Sequence, residues 1–118
     1  MIELGSRERN QPPPPHIVWE SLADPRRPGG RQWLDLRPGE VEPRVLRAVE
    51  PELVVWSSLW PDRPGDEIRF DIRPAPNGCA LRWTLLTPGE APGQDVIGHL
   101  RHRLNFLING RLRYSFGQ

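Results

Sequence analysis

The sequence predicts an α+β domain: a curved antiparallel β-sheet wrapped around one long C-terminal α-helix, with a short helix after the first strand. Three observations lead there. From residue 33 to about 86 apolar side chains recur at every second position, in runs broken by proline and glycine. From about residue 93 the period becomes 3.6 and holds to about 113. The turns between the strand runs are short, which joins neighbours antiparallel and leaves the last helix to cover the apolar face.

The elements follow in order. "IELGSRER" (2–9) reads as a first strand, weakly patterned. "NQPPPPH" is a stiff connector, and Pro15 can open a helix because its missing N–H has no partner to lose there. "HIVWESLAD" carries Ile17, Val18, Ser21 and Leu22 at helical spacing, and the pre-proline Asp24 ends it. Five strands are then expected: "WLDL" from Trp33, "PRVLRAV" up to Val49, Leu53–Trp60, and the two arms of "EIRFDIRPAPNGCALRW". Leu53–Trp60 is apolar on both parities, as in a strand covered on both faces. In the hairpin, a four-residue loop Ala75–Gly78 pairs Ile72 with Leu81, Phe70 with Trp83, and Asp71 with Arg82. A two-residue Asn77–Gly78 loop would oppose Arg73 and Arg82, like charge against like. The first register is therefore expected, with Pro76 in a type I turn. In the last element Ile97, Leu100, Leu104, Leu107, Ile108 and Arg111 share one arc of a helix from Gly93 to Arg113.

Composition bounds the function. The 118 residues suit one domain spanning 1–118. Sixteen basic residues, every one an arginine, stand against 15 acidic ones for a net charge of +1, so no overall charge draws the chain to nucleic acid or a membrane. The arginine usage fits a compositional bias better than a phosphate-binding device. No run of 18 apolar residues is present, which speaks against membrane insertion. A single cysteine, Cys79, shares the parity of Leu81 and Trp83, which marks it as a small core residue. It also suits a reducing compartment, and a cytoplasmic location is expected.

Two sets of residues carry a resemblance. Near the start stand Pro15, Val18, Trp19, Asp24 and Pro25; further on come Val45, Glu50, Pro51, Leu53 and Val54, then the hairpin pattern Phe70, Ile72, Pro74, Asn77, Gly78, Cys79, Leu81 and Trp83. In these positions the chain resembles the START-like (SRPBCC) superfamily of helix-grip folds, and within it polyketide cyclase/dehydrase-like proteins and homologues of the heat-shock-protein ATPase activator. The resemblance implies a hydrophobic cavity between sheet and C-terminal helix that binds a small hydrophobic molecule, such as a lipid, polyketide or aromatic compound. Some members carry out cyclisation or dehydration there. Others resembling the ATPase activator imply a ligand-free protein-interaction module. The chain departs from the family between Leu22 and Trp33, where "ADPRRPGGRQ" leaves little room for a second small helix. A pocket there would be small, open, or completed by a partner subunit, so a homodimer is among the expectations.

The candidate ligand-binding residues are Trp33, Trp56, Ser58, Phe70, Trp83, Leu100 and Leu104. The aromatics offer apolar surface with indole N–H groups as directional donors, and Ser58 offers a polar handle. Glu20, Asp35, Ser57, Ser58 and His16 are the side chains available for acid–base or nucleophilic work. None pairs a nucleophile with a base at diagnostic spacing, so no catalytic residue is assigned. His99 and His102 lie three apart on the helix without a third ligand in view, so no metal or cofactor is expected. With Phe106 they face away from Leu100 and Leu104, where they form a solvated face or a contact patch. "RNQPPPP" formally matches a proline-groove ligand, and a stiff connector explains it as well. "RHRLNFLINGRLR" is basic, but its apolar arc is claimed by the sheet, which excludes a nucleic-acid helix.

Overall fold

The alternating stretches form one five-stranded antiparallel sheet with strand order β1-β5-β4-β3-β2. The computed structural model describes residues 1–117. Its elements are β1 (Ile2–Gln11), α1 (Pro15–Ala23), β2 (Val45–Val49), β3 (Leu53–Ser57), β4 (Glu67–Ala75), β5 (Gly78–Thr87) and α2 (Gln94–Asn105). Beyond α2 the helix continues through a π-helical stretch (Phe106–Leu112) into a last turn, α3 (Arg113–Ser115). These three pieces make up the C-terminal helix. It packs on the face of the sheet that carries Ile68, Phe70, Leu81, Trp83 and Leu85, each at most 2% exposed.

The short helix begins where the sequence places it, with Pro15 at its start and Asp24 at its C-cap. The β4–β5 hairpin has the expected register: Phe70 opposite Trp83, Asp71 opposite Arg82, and Ile72 opposite Leu81. Its loop is tighter than expected, because pairing continues to Ala75 opposite Gly78 and leaves only Pro76 and Asn77 in the turn. Asn77 takes a φ of 62°, the positive value that the third residue of a type II turn needs, so the expected type I turn is replaced. Gly78 has no substitute: its φ is 148°, and a Cβ there would lie 2.0 Å from the Gln11 carbonyl oxygen.

Three further expectations are corrected. "WLDL" is not a strand; residues 31–37 are irregular. Trp33 and Leu34 are both buried, which an alternating strand with one wet face would forbid. Their segment's carbonyls find partners on the C-terminal helix instead. Arg111 Nε donates to Trp33 O at 3.4 Å, and an Arg103 terminal nitrogen donates to Asp35 O at 2.5 Å. Second, the strand predicted over Leu53–Trp60 stops at Ser57, because the Ser58 hydroxyl bonds both the N–H and the carbonyl of Trp60 and turns the chain. Third, Arg111 is exposed and Leu112 is buried in its stead. A π-helical turn holds more residues than an α-turn, so the phase slips by about one residue. Leu112 thereby reaches the arc that an unbroken α-helix would give to residue 111.

A buried ion pair ties the irregular segment to the helix. Arg103 and Glu40 side chains are 2% and 7% exposed, with two N–H donations to the carboxylate at 2.9 and 2.8 Å. Burial alone would push the Glu40 carboxyl up. The hydrogen bonds from Arg103 and the Arg37 backbone N–H, the Arg103 charge and the Trp60 indole more than offset this, leaving it below its ordinary value.

Removing one partner strands the other charge in the interior. Arg103→Ala is expected to lose about 3–5 kcal/mol in urea unfolding. The double variant Arg103→Met/Glu40→Leu, which strands nothing, should recover most of that loss. The lowered Glu40 pKa also sets a pH dependence. An ionised Glu40 stabilises the fold fully above the ordinary carboxylate value near 4.5, and this contribution is lost as pH falls through the lower folded value. Acid titration of stability should therefore fall less steeply below about pH 4.5 for Glu40→Gln than for the wild type.

Candidate functional site

All seven residues expected to form a ligand site are buried. Trp33 stacks on Trp56 with ring centroids 5.9 Å apart and planes 20° from parallel. Trp56 in turn meets Phe70 edge to face at 4.8 Å. Phe70, Trp56 and Trp33 thus form one aromatic column, running from β4 through β3 to the irregular segment. Leu100 and Leu104 belong to the same core from the helix side, and Trp83 lies beside Phe70 on the next strand. Ser58 is buried too, with its hydroxyl committed to Trp60, so it shapes the chain turn.

The indole N–H groups divide the tryptophans. Trp19 Nε1 donates to Leu53 O at 3.0 Å, and Trp56 Nε1 donates to Leu22 O at 2.8 Å. Both bonds pin α1 and its C-terminus to β3. The buried Nε1 atoms of Trp33 and Trp83 have no partner among the described residues. A buried donor left unpaired costs roughly 1–3 kcal/mol, so two in one small core call for an explanation.

Trp33 lies at the inner side of a cleft of about 190 Å³. Ile17, Ser21 and Asp24 of α1 and its cap, the 25–31 loop, and Ser115 and Phe116 at the end of the C-terminal helix complete the lining. This is where the sequence leaves out a second small helix, and residues 24–44 contain none. The loop is held in place by modest, solvent-facing contacts, Arg27 to Glu20 at 3.2 Å and Arg31 to the Ser115 carbonyl at 3.4 Å.

The residues considered for chemistry do not converge. His16 and Asp35 are exposed, and half-buried Glu20 pairs with Arg27. The Ser57 hydroxyl accepts from the Arg44 backbone N–H at 2.7 Å. The buried carboxylates are committed as well, Asp66 to Arg63 at 2.6 Å and Glu40 to Arg103. His99 and Phe106 are exposed on the outer face of the helix, His102 is exposed toward the β1 side, and the Arg37 guanidinium lies over the Phe106 ring at 5.7 Å. No group of three or more His, Cys, Asp or Glu among the described residues could hold a metal ion. Cys79 is fully buried, and burial pushes its thiol pKa up. No helix among the described residues is long and apolar enough to cross a membrane.

Sequence reasoning missed Arg103 and Glu40, the buried pair that holds the Trp33 segment. The helical wheel carries a signal for Arg103, which flanks the apolar arc next to Leu107. Glu40 sits in a "PGE" turn and gives none.

Comparison with known proteins places the architecture. No protein-family model matches the chain, and no curated protein matches it. Solved structures do. The Aha1 dimer from Colwellia psychrerythraea superposes with a TM-score of 0.71 at 17% identity, over 96% of this chain and 94% of that one. CalU16 from Micromonospora echinospora gives 0.61 at 22% identity, over 95% and 81%. An AHSA1-like protein from Rhizobium etli gives 0.56 at 19%, over 92% and 78%. At these identities the likeness establishes the fold alone. A five-stranded antiparallel sheet gripping a C-terminal helix, with a short helix after the first strand, is the helix-grip fold that the chain has in common with these structures.

Proposed function

We propose that this chain binds a small apolar molecule carrying an acceptor oxygen, and that it does so without catalysis. One observation carries the reading: the buried, unpartnered indole N–H of Trp33, at a cleft where the aromatic column meets the outside. A flat ring entering beside Ile17 and Phe116 would extend the column, and its oxygen would take the Trp33 N–H. Trp56 and Phe70 back the contact, while Trp83, Leu100 and Leu104 belong to the same core without lining the cleft. Ser58 contributes by setting the turn that follows β3. Burial of a bicyclic ring at about 25 cal/mol per Å² supplies the affinity, and the single N–H supplies orientation. The commitment of each buried carboxylate to an arginine favours binding over cyclase or dehydratase proton chemistry. Titration with 1-tetralone, an aromatic bicyclic ketone, should raise the melting temperature saturably in the wild type. Trp33→Phe keeps the stack and removes the donor, so its response should be much smaller. Equal responses in the two proteins, or none in either, would count against this reading.

A second reading concerns assembly. The outer strand β2 is exposed along its whole length. Val45, Leu46 and Val49 are between 41 and 45% exposed there, as is Val41 just before the strand, on an open sheet edge that offers unpaired backbone groups. The neighbour from Colwellia psychrerythraea is a dimer, and we infer that a second copy of this chain covers the β2 edge. Light scattering should give a dimer for the wild type and a monomer for Leu46→Glu. A monomeric wild type would dismiss the idea.

A further inference from the structure

The second unpartnered indole points to a different chemistry. Cross-strand pairing aligns Gly5, Arg7, Arg9 and Gln11 of β1 with Leu85, Trp83, Leu81 and Cys79 of β5. Paired residues share a face, so the edge strand turns a polar row toward the C-terminal helix while its neighbour turns core residues that way. Against this row the helix sets Arg101, His102 and Asn105. With Ser6, Arg7 and Trp83 they line a pocket of about 190 Å³ at the seam between β1 and the helix.

The lining is rich in donors and contains no carboxylate. Among the described residues, neither Arg7 nor Arg101 has an acidic oxygen within 4.0 Å. Asn105 is oriented by an amide chain: Gln11 Nε2 donates to Asn109 Oδ1 at 3.0 Å, and Asn109 Nδ2 donates to Asn105 Oδ1 at 2.7 Å. That arrangement leaves the Asn105 NH₂ group on offer. The Trp83 N–H, buried and unpaired, is a further donor at the same place.

The backbone makes room for Arg101 specifically. A Cβ on Gly5 would stand 2.6 Å from Arg101 Cδ, 2.7 Å from Nε and 2.8 Å from Cγ. The arginine therefore lies flat across β1 at a residue without a side chain, next to a shift in strand register. Two arginines from separate elements, an amide and an indole N–H meet at this seam, with no carboxylate among the residues that line it. Such a set is complementary to an oxyanion, whose oxygens accept several charge-assisted hydrogen bonds at once.

We propose that the seam between β1 and the C-terminal helix is a binding pocket for a small oxyanion, a phosphate or carboxylate group. It is held between Arg7 and Arg101, with Trp83 Nε1 donating from behind. The placement of the arginines, not their abundance in the chain, makes the site. It is independent of the Trp33 cleft, and the inorganic probe used to test it has no apolar body to enter that cleft.

The experiment is a titration of ¹⁵N-labelled protein with inorganic phosphate, acetate and phenyl phosphate at constant ionic strength, following the indole and arginine N–H resonances. The Trp83 indole signal should move saturably with at least one of the three, while the Trp56 signal stays in place. Arg101→Gln should weaken binding roughly tenfold, the loss expected for one charge-assisted contact. Gly5→Ala should weaken it too by pushing Arg101 aside, and the neighbour it displaces is a flexible side chain, so the sheet survives the change. Tighter binding of phenyl phosphate than of inorganic phosphate assigns the pocket to the anionic end of a larger molecule. Equal binding assigns it to a free anion, and either result supports the site. A Trp83 signal unmoved by all three, or variants that bind as the wild type does, would overturn it.

Discussion

Arg103 stands in the C-terminal helix almost sealed from solvent, and what it holds decides the shape of the rest. Taking a guanidinium out of water costs several kcal/mol, and only a fully used fork repays that. Here the fork is used: two bonds go to Glu40 and one to the carbonyl of Asp35. Those bonds fasten a segment that has no strand or helix pairing of its own, residues 31–37 and the turn that follows. The segment in turn delivers Trp33 onto Trp56, the outermost layer of the aromatic column. Without the tie the column would lose that layer and the cleft its inner wall.

The same helix solves a second problem with its π-helical stretch. An unbroken α-helix would carry Arg111 into the sheet and Leu112 out of it. The wider turn exchanges them, so Leu112 joins the core and Arg111 reaches the Trp33 carbonyl from the side. The arginine consequently reinforces the hold of Arg103 on the irregular segment. Two guanidiniums on one helix thus do for residues 31–37 what a neighbouring strand does elsewhere in the sheet.

The two margins of the helix differ in chemistry because the sheet is asymmetric beneath them. Toward α1 the margin has an unpaired Trp33 N–H and a cleft in which Ile17, Trp33 and Phe116 stand among polar side chains such as Asp24, Arg27 and Arg31. Toward β1 it is basic, since the edge strand presents Gly5, Arg7, Arg9 and Gln11 where β5 presents core residues. The indole donors of Trp19 and Trp56 are tied to carbonyls where α1 meets β3. The untied ones stand at the two margins, where a ligand could meet them.

Much of this was legible in the residues. Period-two alternation placed β3 to β5, the Pro15 and Asp24 signals bounded α1, and charge opposition selected the hairpin register, because each of these depends on neighbours a few residues away. The six apolar candidate site residues were legible as buried, since apolar periodicity is a local property, while Ser58 was read as a polar handle and instead shapes the chain turn. What escaped was whatever two distant segments decide jointly. "WLDL" alternates like a strand, yet its carbonyls are taken by arginines nearly 70 and 80 positions onward in the chain. Glu40 carries no local mark of burial, and it is buried because Arg103 meets it there. Sequence alone determined the segments that become β1 to β5 and the helices, and their order, through short-range periodicity and turn chemistry, while adding one strand, "WLDL", that does not form. Only the tertiary structure decided which polar atoms find partners and which two indoles do not, because hydrogen-bond satisfaction in a core is settled across space and not along the chain.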